Sequence, residues 1–582
     1  GIRRSALLES VRLAGDLLFQ GVQTIVFART RRSVELLLNY LRAAAPDRAG
    51  QIRGYRSGYL PRQRREIEQG LRTGSVRAVA ATTALELGID IGGMDAALMS
   101  GYPGTIAGTW QQAGRAGRKT GVSLAALIAS ANPLDQFLAR HPDYFFDRTV
   151  EQALINPDNL LILLGHLRCA AFELPFRNDE PFGCVPAERV HEFLAILQKE
   201  GVLHSAGDRY FWMAEGYPSA GISLRSTSTN TVVLETTEDD RPRTVGEVDA
   251  ESVYWLAHPG AVYLHEGASF LVQSLDTEQG LAQLIPADTD YYTQPRSETQ
   301  VQLIEKQAEM SVQGATKAHG EILVTTQVIG YRKVRWFTHE QLGMENLDLP
   351  PAHLQTTGYW LSLPESTIQS LRNEGQWTNA PNHYGPNWKE QKEAARARDG
   401  YRCQVCGVAE GVASQRTHDV HHKIPFRSFE SYMQANRLDN LITLCPACHR
   451  RAEQAVRMRS GLAGLAFALG HLAPLFLMCD SSDVGVHSDP QSSLADGQPA
   501  IVIYDQVPAG IGFSERLFDL HDELMARARV LIASCPCADG CPSCVGPAGE
   551  AYSASVNSAG GKQTTLALLD AILSPQATHR DR

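Results

Sequence analysis

Eight of the chain's eleven cysteines fall into two groups. Cys403 and Cys406 form one CxxC pair, and Cys445 and Cys448 form a second pair further on. Cys535, Cys537, Cys541 and Cys544 make a compact CxCx3Cx2C cluster. Four thiolates at such spacings can close a tetrahedral zinc, so two structural Zn2+ sites are expected. Around the last cluster nothing suggests a base, a nucleophile or an open coordination position. Its expected role is a closed structural zinc, with an iron-sulfur cluster as the alternative, because four thiolates suit both. Cys169, Cys184 and Cys479 stand alone and are expected to be small buried hydrophobes. A long chain without a charged-then-apolar leader points to metal sites rather than disulfides, and so to a reducing compartment, the cytoplasm.

These groups need a large scaffold. At 582 residues the chain exceeds one core, and three to five domains are expected. The hydrophobic share of 43% and charged share of 20% are those of ordinary globular protein. A net charge of -10 does not by itself suggest a nucleic-acid binder, but eight arginines between Arg48 and Arg77 form a local basic strip. The apolar run Gly461 to Met478 approaches membrane-spanning length. With His471 and Pro474 inside it and polar sequence on both sides, it is expected to be a buried helix, and no membrane is expected as a partner.

Short apolar runs at 23–27, 77–81, 96–99 and 124–128 alternate with helical spacings, which predicts an α/β unit with a parallel sheet. An amphipathic helix at 190–201 followed by two short strands suggests a winged helix. From about 231 to 336 the pattern is β-rich and reads as a small barrel or sandwich.

Four strings in the first unit carry a resemblance. Thr24 to Arg31, Gly54 to Tyr59, Ala81 to Ile91 and the QxxGRxGR string Gln111 to Arg118 occur in the order and spacing of the fourth to sixth motifs of superfamily 2 helicases. The set resembles their second RecA-like lobe. Leu256 to His265, Asp290 to Thr293 and Ser534 to Val545 sharpen it towards the bacterial mitomycin-repair helicases (MrfA-like) and their fungal and archaeal relatives. The resemblance covers most of 1–350 and 455–545.

It implies a 3′-to-5′ DNA-unwinding ATPase with ATP/Mg2+ bound between two lobes. Arg115 and Arg118 match its arginine fingers, offered to the charge that develops on the γ-phosphate. Gly88, Asp90 and Gln111 match nucleotide-side positions. Thr82 and Thr83, at a strand end, match DNA-phosphate contacts, and Arg56 in the basic strip is expected to join them. The 582 residues hold no GxxxxGK[ST] loop and no DExH box. The chain is therefore expected to be the C-terminal part of such a helicase, with a first RecA-like lobe supplied in cis or in trans.

Between about 380 and 455 that resemblance breaks. The two CxxC pairs, the HHxxP string at His421, the Asn440-Leu441 step and the CxxCH ending at His449 resemble an HNH endonuclease. By position, His421 and His449 would bind a catalytic Mg2+ or Mn2+. His422 would be the general base, and Asn440 would hold the hairpin. Glu453, one helical turn after His449, could add a carboxylate ligand.

The expected fold class is multidomain, α/β and α+β. A second helicase lobe spans 1–150, a helical and winged-helix domain 151–220, and a β-rich domain 221–345. A C-terminal metal-binding domain spans 346–384 and 456–582, with an HNH insert at 385–455. The expected function is a DNA-processing helicase-nuclease part with a role in repair or defence, and DNA and ATP as partners. The alternatives are a non-catalytic DNA-binding module or an inert helicase fragment.

Overall fold

The computed structural model describes all residues except 1–4, 87–90, 92, 118–120, 148, 152–158, 223–230, 239–240, 374–383, 411–416, 424–430, 447, 450–460, 539, 547–560 and 574–582. The first unit is a five-stranded sheet, every neighbouring pair parallel, in the order Ile52–Tyr55, Ala78–Ala81, Thr24–Ala28, Ala96–Ser100, Leu124–Ile128. Thr24–Ala28 is buried along its whole length, as a continuous apolar run must be when helices cover both faces. The Ala6–Phe19 and Arg31–Ala44 helices share one core with it, and Pro61–Thr73 lies in another. Thr30 caps the Arg31–Ala44 helix by accepting from the Ser33 amide, and Gly74 ends Pro61–Thr73 with a φ of 78° that favours glycine. Thr30 and Thr82 both follow the carboxyl ends of inner strands, where sheets of this kind place ligands.

The Leu160–Glu173 and Ala187–Lys199 helices pack over the hairpin Leu203–Ala206/Arg209–Trp212, with Phe176–Arg177 pairing at its side. This is the helix-turn-hairpin order read from the sequence.

The β-rich stretch differs from expectation. It does not form one barrel or sandwich. Thr231–Glu238, Arg241–Asp249, Val262–His265, Ala268–Asp276 and Leu281–Pro286 form one five-stranded sheet. The long strands Tyr291–Val312 and Ala315–Arg335 pair with each other and then with Ala352–Ser362. That sheet continues through Ala500–Asp505 to Val484–Asp489. The cause is length: strands of 22 and 21 residues outrun the five short ones and carry the second sheet into the C-terminal domain. Local alternation sees each strand but not its partner.

The largest core lies in that domain. The Gly461–Leu477 helix is apolar all round and buries eleven residues against the sheet and against Phe513–Asp519, His521–Ser534 and Gly561–Leu573. Among the described residues no helix is long and apolar enough to cross a membrane. The segment that interrupts this core, between Glu365–Asn373 and Gly461–Leu477, holds its own small unit: the helix Trp388–Arg398 against the two-stranded hairpin Asp419–His422/Leu441–Leu444.

Candidate functional site

In the inserted unit, backbone geometry brings the four cysteines together before any ion is considered. Cys403 and Cys406 lie on a turn closed by Gly407, whose amide donates to the Cys403 carbonyl at 2.8 Å. The Gln404 amide reaches the Thr443 carbonyl at 3.0 Å, tying that turn to the strand that delivers Cys445. The four Sγ atoms lie within 4.8 Å of one another, and Cys406 and Cys445 are 3.7 Å apart. A tetrahedron with Zn–S bonds of about 2.3 Å has edges of about 3.8 Å, so the cradle fits zinc, and the spacing is far too long for a disulfide. Burial opposes the Cys403 thiolate, but amides of Cys445, Cys406 and Val405 outweigh it and bring its pKa down to about 6.

The late cluster meets the same test. Cys535–Cys541, Cys537–Cys544 and Cys541–Cys544 lie 3.6, 3.5 and 3.8 Å apart. Lys562 Nζ donates to the carbonyls of Cys535 and Cys537 at 2.6 and 3.1 Å, closing the cluster from the Gly561–Leu573 helix. Ser543 Oγ donates to the Ala131 carbonyl at 2.7 Å, docking the cluster on the first unit.

The hairpin beside the first cysteine group sorts its side chains by strand alternation. Val420 and His422 face the Trp388–Arg398 helix, where Val420 packs with Ala395, Leu441 and Trp388. Asp419 and His421 face the other way, towards His449. The His421 and His449 ring centroids are 5.4 Å apart, and Asp419 Oδ2 lies 3.9 Å from His449 Nδ1. Two imidazoles and a carboxylate therefore lie on one side of the hairpin, donor types that suit a divalent cation, but more widely spaced than the cysteine Sγ atoms. Burial and the neighbouring His449 and His422 push the His421 pKa down to about 4, which keeps the ring neutral, as a metal ligand must be. Burial also lowers that of His422, against a hydrogen bond to Asn436. His422 is 7% exposed. Asn440 donates to the Ala435 carbonyl at 2.8 Å, and its own carbonyl accepts from the Lys423 amide at 2.7 Å, so it holds the end of the hairpin. Glu453 lies outside the described residues.

Asp419 and Asn436 were not singled out from sequence. Alternation two residues before His421 was signal enough for Asp419; Asn436, fourteen residues after His422, gave none.

On the first unit, Thr82 and Thr83 sit at the end of Ala78–Ala81, and the Thr82 hydroxyl accepts from the Ala84 amide. Gln111 is exposed, and Gln112 Nε2 donates to Glu86 Oε2 at 3.0 Å. Arg115 is only 4% exposed, and its guanidinium donates to the Glu86 carbonyl. Gly88, Asp90 and Arg118 lie outside the described residues.

Arg56 corrects an expectation. It is 2% exposed, ion-paired with buried Glu35 at 2.7 Å, and donates to the Leu264 carbonyl at 2.8 Å. Its charge is taken up by Glu35 and the Leu264 carbonyl, which ties the first unit to the β-rich one. Other arginines of the basic strip are likewise used internally: Arg48 on the Leu18 carbonyl, Arg53 on Glu266, Arg77 on the Gly21 carbonyl. A run of arginines in sequence does not show which of them fold inward.

Four families match parts of the chain: the helicase conserved C-terminal domain at 9–120, the HRQ1 ATP-dependent helicase winged helix domain at 155–227, HNH endonuclease at 403–454 and the MrfA Zn-binding domain at 465–545. The chain is 36% identical over 98% of its length to an uncharacterized ATP-dependent helicase, YprA, of Bacillus subtilis, and spans 64% of that protein. It is 26% identical over 93% of its length to the ATP-dependent helicase HRQ1 of Saccharomyces cerevisiae, spanning 44% of it. It resembles the crystal structure of the DUF1998 helicase MrfA bound to DNA, with a TM-score of 0.62 and 35% identity over 98% of this chain and 64% of that one. Against the expectation of a partner lobe, the match runs over nearly the whole chain, and it spans 64% of each of these two proteins. With the two four-thiolate cradles, these matches support zinc as a resident metal.

Proposed function

We propose that this MrfA/YprA-like chain is a DNA-processing enzyme that joins a helicase-type ATPase unit to an HNH nuclease in one polypeptide, divided into domains at the boundaries given above except that the strands from 291 to 335 belong with the C-terminal domain whose sheet they share. The observation that carries the nuclease reading is that Asp419 and His421, on one face of the hairpin that also bears His422, both lie beside His449. His421 and His449, with Asp419 beside them, would hold Mg2+ or Mn2+. That ion would neutralise charge on the scissile phosphate and on the leaving oxygen. His422 takes the proton of the attacking water, Asn440 keeps the hairpin ends together, and Glu453 is a further candidate ligand. The cysteine zincs are structural: one braces the hairpin, the other the C-terminal core.

In the ATPase unit, Arg115 and Arg118 are read as the arginines offered to the γ-phosphate of ATP/Mg2+. Gly88, Asp90 and Gln111 are read as nucleotide-side groups, and Thr82 and Thr83 as contacts to a DNA phosphate. Arg115 rests on the Glu86 carbonyl, a contact it would give up to act as a finger. DNA comes to this chain from the MrfA structure solved bound to it, and a part in repair or defence from the resemblance of its motifs.

The test is direct. The chain should cut plasmid DNA with Mg2+ or Mn2+ and without ATP. His449→Ala should lose cutting and divalent-ion binding together while metal analysis still returns both zincs. Divalent-ion binding unchanged in His449→Ala would remove the proposed site. The non-catalytic DNA-binding reading is favoured by one observation, the 7% exposure of His422. It takes over if the wild type binds DNA and cuts none.

A further inference from the structure

The His422 ring is held at its edge by Asn436 and on its face by Tyr384 and Trp388, and the last two precede the HNH-matched segment. Its Nε2 lies 2.9 Å from Asn436 Oδ1. The Asn436 amide nitrogen donates in turn to the Tyr384 carbonyl at 2.6 Å and to Asn387 Oδ1 at 2.9 Å. A carbonyl can only accept, so the Tyr384 contact settles which end of the Asn436 amide is nitrogen and leaves Oδ1 facing His422. An acceptor at Nε2 requires that nitrogen to carry the proton, and the basic lone pair is therefore on Nδ1. Asn436 is 1% exposed, so turning its amide would set a buried oxygen against the Tyr384 carbonyl oxygen with no water to relieve it.

The plane of the ring is fixed as well. Tyr384 and Trp388 lie 5.4 and 5.0 Å from the His422 centroid, with interplanar angles of 3° and 18°. They stack on each other at 4.6 Å. Tyr384, Asn387 and Trp388 all lie ahead of the HNH match at 403–454.

We propose that Asn436, gripped by the Tyr384 carbonyl and Asn387, is a positioning residue that sets the tautomer and plane of the His422 imidazole, and that the segment from Tyr384 is part of the nuclease site. The proposal rests on the nuclease reading given above. Asn436 acts through His422 and does not touch the substrate.

The experiment uses the full chain, supercoiled plasmid and Mn2+. Asn436→Ala should lower kcat about 10- to 100-fold with KM for DNA within about two-fold of wild type and zinc content unchanged. Asn387→Ala, which removes one of the two grips on the amide, should give a smaller kcat loss of the same kind. In protein labelled with 15N-histidine, the His422 signals, identified by their loss in His422→Ala, should report a proton on Nε2 in wild type and a tautomer mixture in Asn436→Ala. A folded Asn436→Ala with wild-type kcat, or with the wild-type tautomer, overturns this proposal alone. A wild type that cuts nothing overturns the nuclease reading and the positioning role with it.

Discussion

Two four-cysteine cradles in one chain differ in what stands beside them. Beside Cys403, Cys406, Cys445 and Cys448 runs a hairpin bearing Asp419, His421 and His422, and His449 follows Cys448 directly. Beside Cys535, Cys537, Cys541 and Cys544 stand Lys562, which donates to two of the cluster's carbonyls, and Ser543, bonded to the first unit. The thiolates are alike; the neighbours decide the use. One cradle braces a strand whose side chains can do chemistry, and the other fastens a large apolar core.

The strongest way to break this comparison is to remove each metal in turn. A closed thiolate site contributes on the order of 10 kcal/mol of folding free energy. Cys541→Ser should therefore collapse the core around Gly461–Leu477, with zinc content halved. Cys445→Ser should unfold the insert alone and leave the main unfolding transition in place. Calorimetry with zinc analysis on both variants checks this; one shared transition lost in both would show that the two cradles are not independent.

A smaller effect is expected at Arg56. Truncating one partner of a buried ion pair leaves the other charge unpaired and costs about 3–5 kcal/mol. Arg56→Ala should destabilise the first and β-rich units by that amount in urea unfolding while leaving the insert's zinc in place. A change below about 1 kcal/mol, the range of an exposed pair, would contradict the tie assigned to it.

A third effect sharpens the contrast through pH. Burial first, and Lys317 second, push the His521 pKa down to about 4 within the C-terminal core, where Nδ1 meets the Tyr359 hydroxyl at 2.6 Å. The folded state then binds fewer protons than the unfolded state between about pH 6.5 and 4. Its contribution is complete above that window and is lost as pH falls through it, by about 3 kcal/mol. His521→Gln should flatten that part of the profile. An equally steep fall in the variant would place the effect elsewhere.

The parts legible in the sequence were those in which spacing is the chemistry. The CxxC pairs are brought together as their spacing implies, and the His421-His422 step and most of the Gln111 to Arg118 string fall inside the HNH and helicase C-terminal matches, because groups that lie close along the chain are visible as a string. The buried Gly461–Leu477 helix was legible from its composition. The fate of Arg56 was not, because its partners Glu35 and Leu264 are brought together only by the fold. Nor was Asn436, whose role depends on a carbonyl 52 residues away. The second sheet was hidden for the same reason: its strands find partners far along the chain, and alternation carries no register.

The central claim is that His422 does chemistry and does not merely support the fold. The most direct measurement is cleavage of supercoiled plasmid by His422→Ala beside wild type, with zinc content and Mn2+ binding measured on the same samples. Both metals should be retained, while the cleavage rate falls by about 10² or more. A variant that keeps both metals and cuts at the wild-type rate would contradict the account.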